Sequence, residues 1–241
     1  MDHDLPTPQR ALAIAAHPDD VEFGCGATLA KWAADGCRII HVICTDGSKG
    51  TWDPSADTDA LVATRQDEQR AASVALGGTG EVVFVGRVDG ELEADRSTRS
   101  EVALAIRTHR PDIVLGHDPW KRYRLHPDHR AAGWLCIDAV VAARDPHFFP
   151  EHGVDHHRPS GILLFEADEP NHVEVVDESH LTARCAALEA HGSQLGTTHF
   201  YRLDGGDPLV AFRARERDKL TRMGGLVGRP LGEAFHHISE L

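Results

Sequence analysis

Short apolar runs alternate with longer amphipathic segments along most of this chain, and that alternation limits its fold more than any other feature. Residues 11–16 (ALAIAA), 37–45 (CRIIHVICT), 81–86 (EVVFVG) and 112–117 (DIVLGH) have strand length and are rich in aliphatic or β-branched side chains. Between them, ATLAKWAADG predicts a helix that follows the glycines and stops at Gly36, and 59–78 carries a helical period ending in two glycines. TRSEVALAIRTHRP opens with Thr98 and Glu101 at capping-box spacing and halts before Pro111, and 128–144 reads as a helix capped by Asp128. A surface loop is expected over 145–160, then late strands in GILLFEA and HVEVVD and late helices over 178–192 and 208–223. Strands alternating with helices imply βαβ units: an α/β, Rossmann-like three-layer fold with a mostly parallel central sheet, in a single domain over 1–241.

Ligands of such sheets bind in the crevice beyond the carboxyl ends of the strands. AHPDD follows the first run, TDGSKG the second and HDPWKRYRLHPDH the fourth, so three polar segments open on one edge. Two adjacent aspartates repel each other unless a cation is near. His17 and Asp20 can turn to one point, and HPDH adds His126 and His129. His17, Asp20 and one of those histidines would make the three-ligand set of a catalytic metal, whose bound water has its pKa lowered toward ~7. Asp19 could take that water's proton, and the remaining histidine could serve the leaving nitrogen or an oxyanion.

Composition narrows the partners. A formal net charge of -13 argues against nucleic acid and against an anionic membrane surface. No run approaches a spanning helix, and no basic residue precedes the first apolar run, so neither a membrane segment nor a signal peptide is expected. Five scattered cysteines without a CxxC pair fit reduced thiols and a cytoplasmic setting. With 17 histidines, chance pairs are common, so each is judged by context. His41 reads as a core histidine, and His147, His152, His156, His157, His236 and His237 as solvated surface.

AHPDD followed by EFGCGATLAK, with HPDH about a hundred residues later, resembles the LmbE-like (PIG-L) family of zinc-dependent N-deacetylases. TDGSKG, TRQDEQRAASVALG, HGSQ and GEAF are similar to further family elements, so the resemblance extends over most of the chain. It implies His17, Asp20 and His129 as ligands of Zn2+ (Fe2+ or Co2+ being compatible), Asp19 as general base and His126 as the histidine that assists the leaving group. It also implies Asp128 as an orienting neighbour of a ligand, and Arg65 and Asp118 as substrate contacts. The implied reaction removes an N-acyl group, an acetyl above all, from an amino sugar or related glycoconjugate. Family members often assemble, which leaves a homo-oligomer open. The segment TDGSKGTWD lacks a glutamate found there in some biosynthetic deacetylases, so the substrate stays open too.

Three other readings compete. GCGATL with Asp46 imitates a nucleotide-binding Rossmann fingerprint, but Asp19, Asp20 and Glu22 would repel a pyrophosphate. Two histidines and a carboxylate also describe an Fe(II) oxygenase triad, in which Asp19 has no task. A structural metal module would need a fourth protein ligand.

Overall fold

The computed structural model describes residues 1–200 and 206–241. Eight described strands form one sheet: β1 (Asp2–His3), β2 (Arg10–Ala15), β3 (Arg38–Thr45), β4 (Val82–Arg87), β5 (Ile113–His117), β6 (Gly161–Phe165), β7 (His172–Val175) and β8 (Gly232–Ile238). Their order is β1-β7-β8-β6-β5-β2-β3-β4, and every pairing is parallel except those of β8, which runs antiparallel between β6 and β7. Helices α1 (Asp20–Ala34), α2 (Thr58–Ala75) and α5 (Glu178–Ala190) cover one face, α3 (Arg96–His109) and α4 (Pro127–Arg144) cover the other, and α6 (Pro208–Gly225) packs on β8.

Period-two alternation sorts each strand between two cores. Leu12 and Ile14 of β2 join Ile40 and Val42 of β3 under α3 and α4, while Ala11, Ala13 and Ala15 join Ile39 and Ile43 under α1, α2 and α5. All five cysteines are free and buried, and no described helix is long and apolar enough to cross a membrane.

Strand order reverses between β2 and β5: the chain passes from β2 to β3 on one side and from β5 to β6 on the other. Crossovers leaving in opposite directions open a crevice at the carboxyl ends of those two strands. AHPDD leaves β2 there, and the segment ending in HPDH leaves β5 there.

Several local expectations change. Helix α1 starts at Asp20, before the glycines, and bends at Cys25. Gly24 and Gly26 are therefore helical: a Cβ on Gly24 would lie 2.6 Å from the Phe165 ring, so this glycine lets helix approach sheet. Past the bend, the Glu233 carboxylate accepts from the backbone N–H groups of Ala27 and Thr28, and Arg184 clamps Glu233 and Glu216. GEAF thus caps a helix from the neighbouring sheet. Helix α3 is capped by Asp95, which accepts from Thr98 N, because the helix begins two residues before Thr98. Helix α4 is capped by the His126 ring rather than by Asp128. β1 and β8 lie outside the expected strands, and His236 and His237, expected as solvated surface, are half-buried in β8.

Gly133 fixes how closely α4 seats on the end of β5, since a Cβ there would come within 2.9 Å of His117 O and Pro119 N. Backbone cannot step aside as a side chain can, so Gly133→Ala is expected to cost about 1–3 kcal/mol in a chemical denaturation series.

Candidate metal centre and its cavity

The turn after β2 separates the two neighbouring carboxylates. Asp19 has φ 96°, a left-handed conformation uncommon outside glycine and costing about 1–3 kcal/mol unless its surroundings hold it. Here Asp19 N donates to Gln69 Oε1, and Asp19 O accepts from Phe23 N. The Asp19 side chain makes no cap bond; Asp20 Oδ2 folds back to accept from His17 N at 2.8 Å. The carboxylates consequently face different partners.

Asp20 faces histidines. His17 Nδ1 lies 3.2 Å from Asp20 Oδ2, His129 Nε2 lies 3.2 Å from Asp20 Oδ1, and His129 Nε2 lies 3.2 Å from His17 Nδ1. Tetrahedral bonds of about 2.0–2.1 Å place neighbouring donors roughly 3.3–3.4 Å apart. Two imidazole nitrogens and a carboxylate at that spacing suit a first-row divalent ion, and three overlapping groups among the described residues, His17/His126/His129, His17/Asp89/His126/Asp128 and Asp20/His117/His129, offer donors within 4.8 Å of one another.

The other nitrogen of His17 is held from behind. Nε2 sits 3.0 Å from Asp128 Oδ2 and 3.2 Å from Asp89 Oδ1. Asp128 also accepts from Gly90 N and Leu92 N, so its carboxylate joins α4 to the segment after β4. Burial alone would lower the His17 pKa, but Asp128, Asp20 and Asp89 outweigh it and hold the imidazole well above its ordinary value. Burial likewise opposes ionisation of Asp20, yet His129 and His117 bring its carboxyl well below the usual range. His126 is lowered by burial and by the nearby His17 and His129 rings. Its Nδ1 accepts from Asp128 N at 3.3 Å, which leaves Nε2 as the protonated nitrogen of the neutral ring.

Asp19 faces the other way. Its Oδ2 stands 3.3 Å from His199 Nε2 and 3.6 Å from Arg65 Nη2. Arg65 also donates to Gly47 O and Pro18 O, joining the turns after β2 and β3. Glu68, one helical turn on from Arg65, accepts instead from Ser193 N and Oγ. Gly50 is a glycine for steric reasons: any Cβ would collide with Arg65 Nη1. From the late His-x-Ser-Gln element, Gln194 donates to Gly50 O, while His191 Nε2 lies 3.4 Å from Glu22 Oε2 inside the protein. His41 is fully buried and meets Gln69 Nε2 at 3.0 Å, a core position.

One cavity of about 460 Å³ gathers His17, Asp19, Asp20, Arg65, His126 and His129. Asp118 is not brought to it. Its Oδ1 accepts from Trp120 N, and together with Arg122 it lines a separate hollow of about 140 Å³. The chain turns away from the crevice directly after β5, carrying the expected sugar-contacting acid with it. Besides Asp19 and Asp20 the cavity is lined by Asp89, which sequence reasoning missed, as it missed His117 beside Asp20 and His199 beside Asp19. His117 ends β5, is 1% exposed and places Nε2 3.4 Å from Asp20 Oδ2. Its position at a strand's carboxyl end was a usable signal; His199 offered none.

The family model for PIG-L, GlcNAc-PI de-N-acetylase, matches residues 12–140. A diacetylchitobiose deacetylase of Thermococcus kodakarensis is 35% identical over 190 residues, 77% of this chain and 70% of its own length. A 1D-myo-inositol 2-acetamido-2-deoxy-alpha-D-glucopyranoside deacetylase of Actinosynnema mirum is 30% identical over 234 residues, 79% of this chain and 82% of its own. The solved N,N'-diacetylchitobiose deacetylase from Pyrococcus horikoshii, in complex with an inhibitor, superposes with a TM-score of 0.84 at 29% identity, covering 96% of this chain and 84% of that one. Neither the nucleotide-binding nor the Fe(II) oxygenase reading finds support among these relatives, and the glycines of the first lie inside α1. With the family model spanning more than half its length, the chain belongs to the PIG-L, GlcNAc-PI de-N-acetylase, family.

Proposed function

We propose that this protein is a zinc-dependent amidohydrolase that removes the N-acetyl group from a small N-acetylglucosamine-containing saccharide, releasing acetate and a free amine. The observation that carries this reading is that His17 Nδ1 and His129 Nε2, 3.2 Å apart, each lie 3.2 Å from one oxygen of Asp20 (Oδ2 and Oδ1 respectively), in a cavity that also holds a second, differently aimed carboxylate. Its relatives bear the names of deacetylases acting on such sugars.

His17, Asp20 and His129 would hold the ion. Bound there, a divalent metal lowers the pKa of water toward ~7 and polarises an amide carbonyl. Asp128 and Asp89 accept from His17 Nε2, which would leave the Nδ1 lone pair free for the ion. Asp19 takes the proton of the attacking water, its carboxylate kept in place by Arg65 and His199. His126, through Nε2–H, donates to the oxyanion or the departing nitrogen. Substrate hydroxyls would meet Arg65 and Asp89 on the cavity wall.

Metal analysis of the purified protein, followed by amine release from a panel of N-acetylated amino sugars, tests the reading. Zinc near one equivalent with amine release supports it; a loaded protein that releases amine from none of the panel refutes it. Asp128→Asn is expected to weaken metal binding about 10–100-fold in a chelator competition. One amide oxygen cannot replace a carboxylate that serves His17, Gly90 N and Leu92 N together.

A further inference from the structure

At the rim of the catalytic cavity stands a tryptophan to which the hydrolytic chemistry gives no task. Trp52 lines the cavity yet is 80% exposed. A lone exposed apolar side chain needs no explanation as such. This one stands on a braced segment: Gly47 O accepts from Arg65, Gly50 O from Gln194, and Lys49 N donates to Asp89. On its other side Asp53 N donates to Thr51 Oγ1, and Asp53 Oδ1 accepts from Ser55 N. The backbone before Trp52 is thus tied to residues of the catalytic cavity and the backbone after it is turned by bonds within the loop, while the indole is left in water.

We infer that Trp52 is the stacking platform of a second subsite, for the sugar ring attached to the N-acetylated one; this rests on the proposed deacetylation of a saccharide. An indole carried on such a backbone offers a large flat face with only two side-chain torsions to fix. A pyranose presents a face of C–H groups to such a surface and keeps its hydroxyls for polar partners. A ring lying on Trp52 would extend beyond the metal-binding floor toward the open side, so the platform selects disaccharide over monosaccharide and takes no part in bond breaking.

Trp52→Ala, compared with wild type on N,N'-diacetylchitobiose and on N-acetylglucosamine, tests this. The ratio of kcat/KM for disaccharide over monosaccharide is expected to fall about tenfold, chiefly through KM. Binding read without turnover separates the inference from the reaction. Of the four tryptophans, Trp32 is buried, Trp120 and Trp134 pack edge-on with ring centroids 5.4 Å apart, and Trp52 alone among the described residues lines the cavity. Titrating metal-stripped wild type with the disaccharide should change its tryptophan emission, and Trp52→Ala should abolish that change. An unchanged ratio, or an equal emission change in both proteins, overturns the platform while leaving deacetylation standing. An emission that follows protein concentration and ignores sugar also overturns it, showing a second copy of the chain on this face. A platform confirmed by emission in a protein that releases no amine would overturn the reaction alone.

Discussion

His129→Ala protein is expected to purify with well under a tenth of an equivalent of metal and to show no amine release above background. Three protein donors leave an ion one open position, and losing one leaves two donors with two solvent positions to fill. Removing an outer hydrogen-bond partner of a ligand already costs about 10–100-fold in affinity, so loss of a ligand costs more. The fold should survive, since His129 lies in the first turn of α4 with its side chain 24% exposed and makes no backbone bond that alanine lacks. Metal content by mass spectrometry, together with a thermal melt, checks both halves. Stoichiometric metal in a folded His129→Ala protein would remove this histidine from the ligand set.

Asp19→Asn should do the opposite: keep the metal and lose about 10²–10⁴ in kcat, with kcat/KM falling in parallel. Asparagine is the informative replacement. Position 19 has φ 96°, a region that asparagine tolerates and alanine resists, so Asp19→Ala would combine backbone strain with the loss of the proposed base. The amide retains the size of the side chain and can still meet His199, but it cannot accept a proton from water. Equal metal content with a thousandfold slower amine release would separate proton transfer from metal binding. Wild-type turnover in Asp19→Asn would mean that another group takes the proton, and the assignment of roles on the HPDD turn would fall.

Asp19 and Asp20 illustrate how far local spacing reaches. His17 and Asp20, three apart, and His126 and His129, three apart, are legible because a turn or a helix start brings such residues to one side. Spacing also placed a second carboxylate beside Asp20, but the direction of Asp19 follows from the left-handed turn and from Gln69, Arg65 and His199, which lie on other elements. Asp128 shows the same limit. Its position at a helix start reads as a cap, yet its carboxylate serves His17 Nε2 and two N–H groups after β4, and the His126 ring takes over the cap. Asp118, next to β5 in sequence, lies in another hollow, while Asp89, from beyond β4, reaches the cavity.

The strand and helix periods, the parallel order they imply and the two histidine motifs were determined by the sequence alone, because each is a pattern within one element or one turn. Tertiary structure decided that β8 runs antiparallel between β6 and β7, and that Glu233 from it caps the bend of α1. It also decided which carboxylates face His17, across 111 residues in the case of Asp128. The physical reason is that a hydrogen bond between distant segments depends on where the sheet carries each of them, and no local periodicity encodes that position. Chain reversal between β2 and β5 brings the two motifs to one crevice, and the carboxylates arriving from β4 and α4 then fix which nitrogen of His17 faces Asp20.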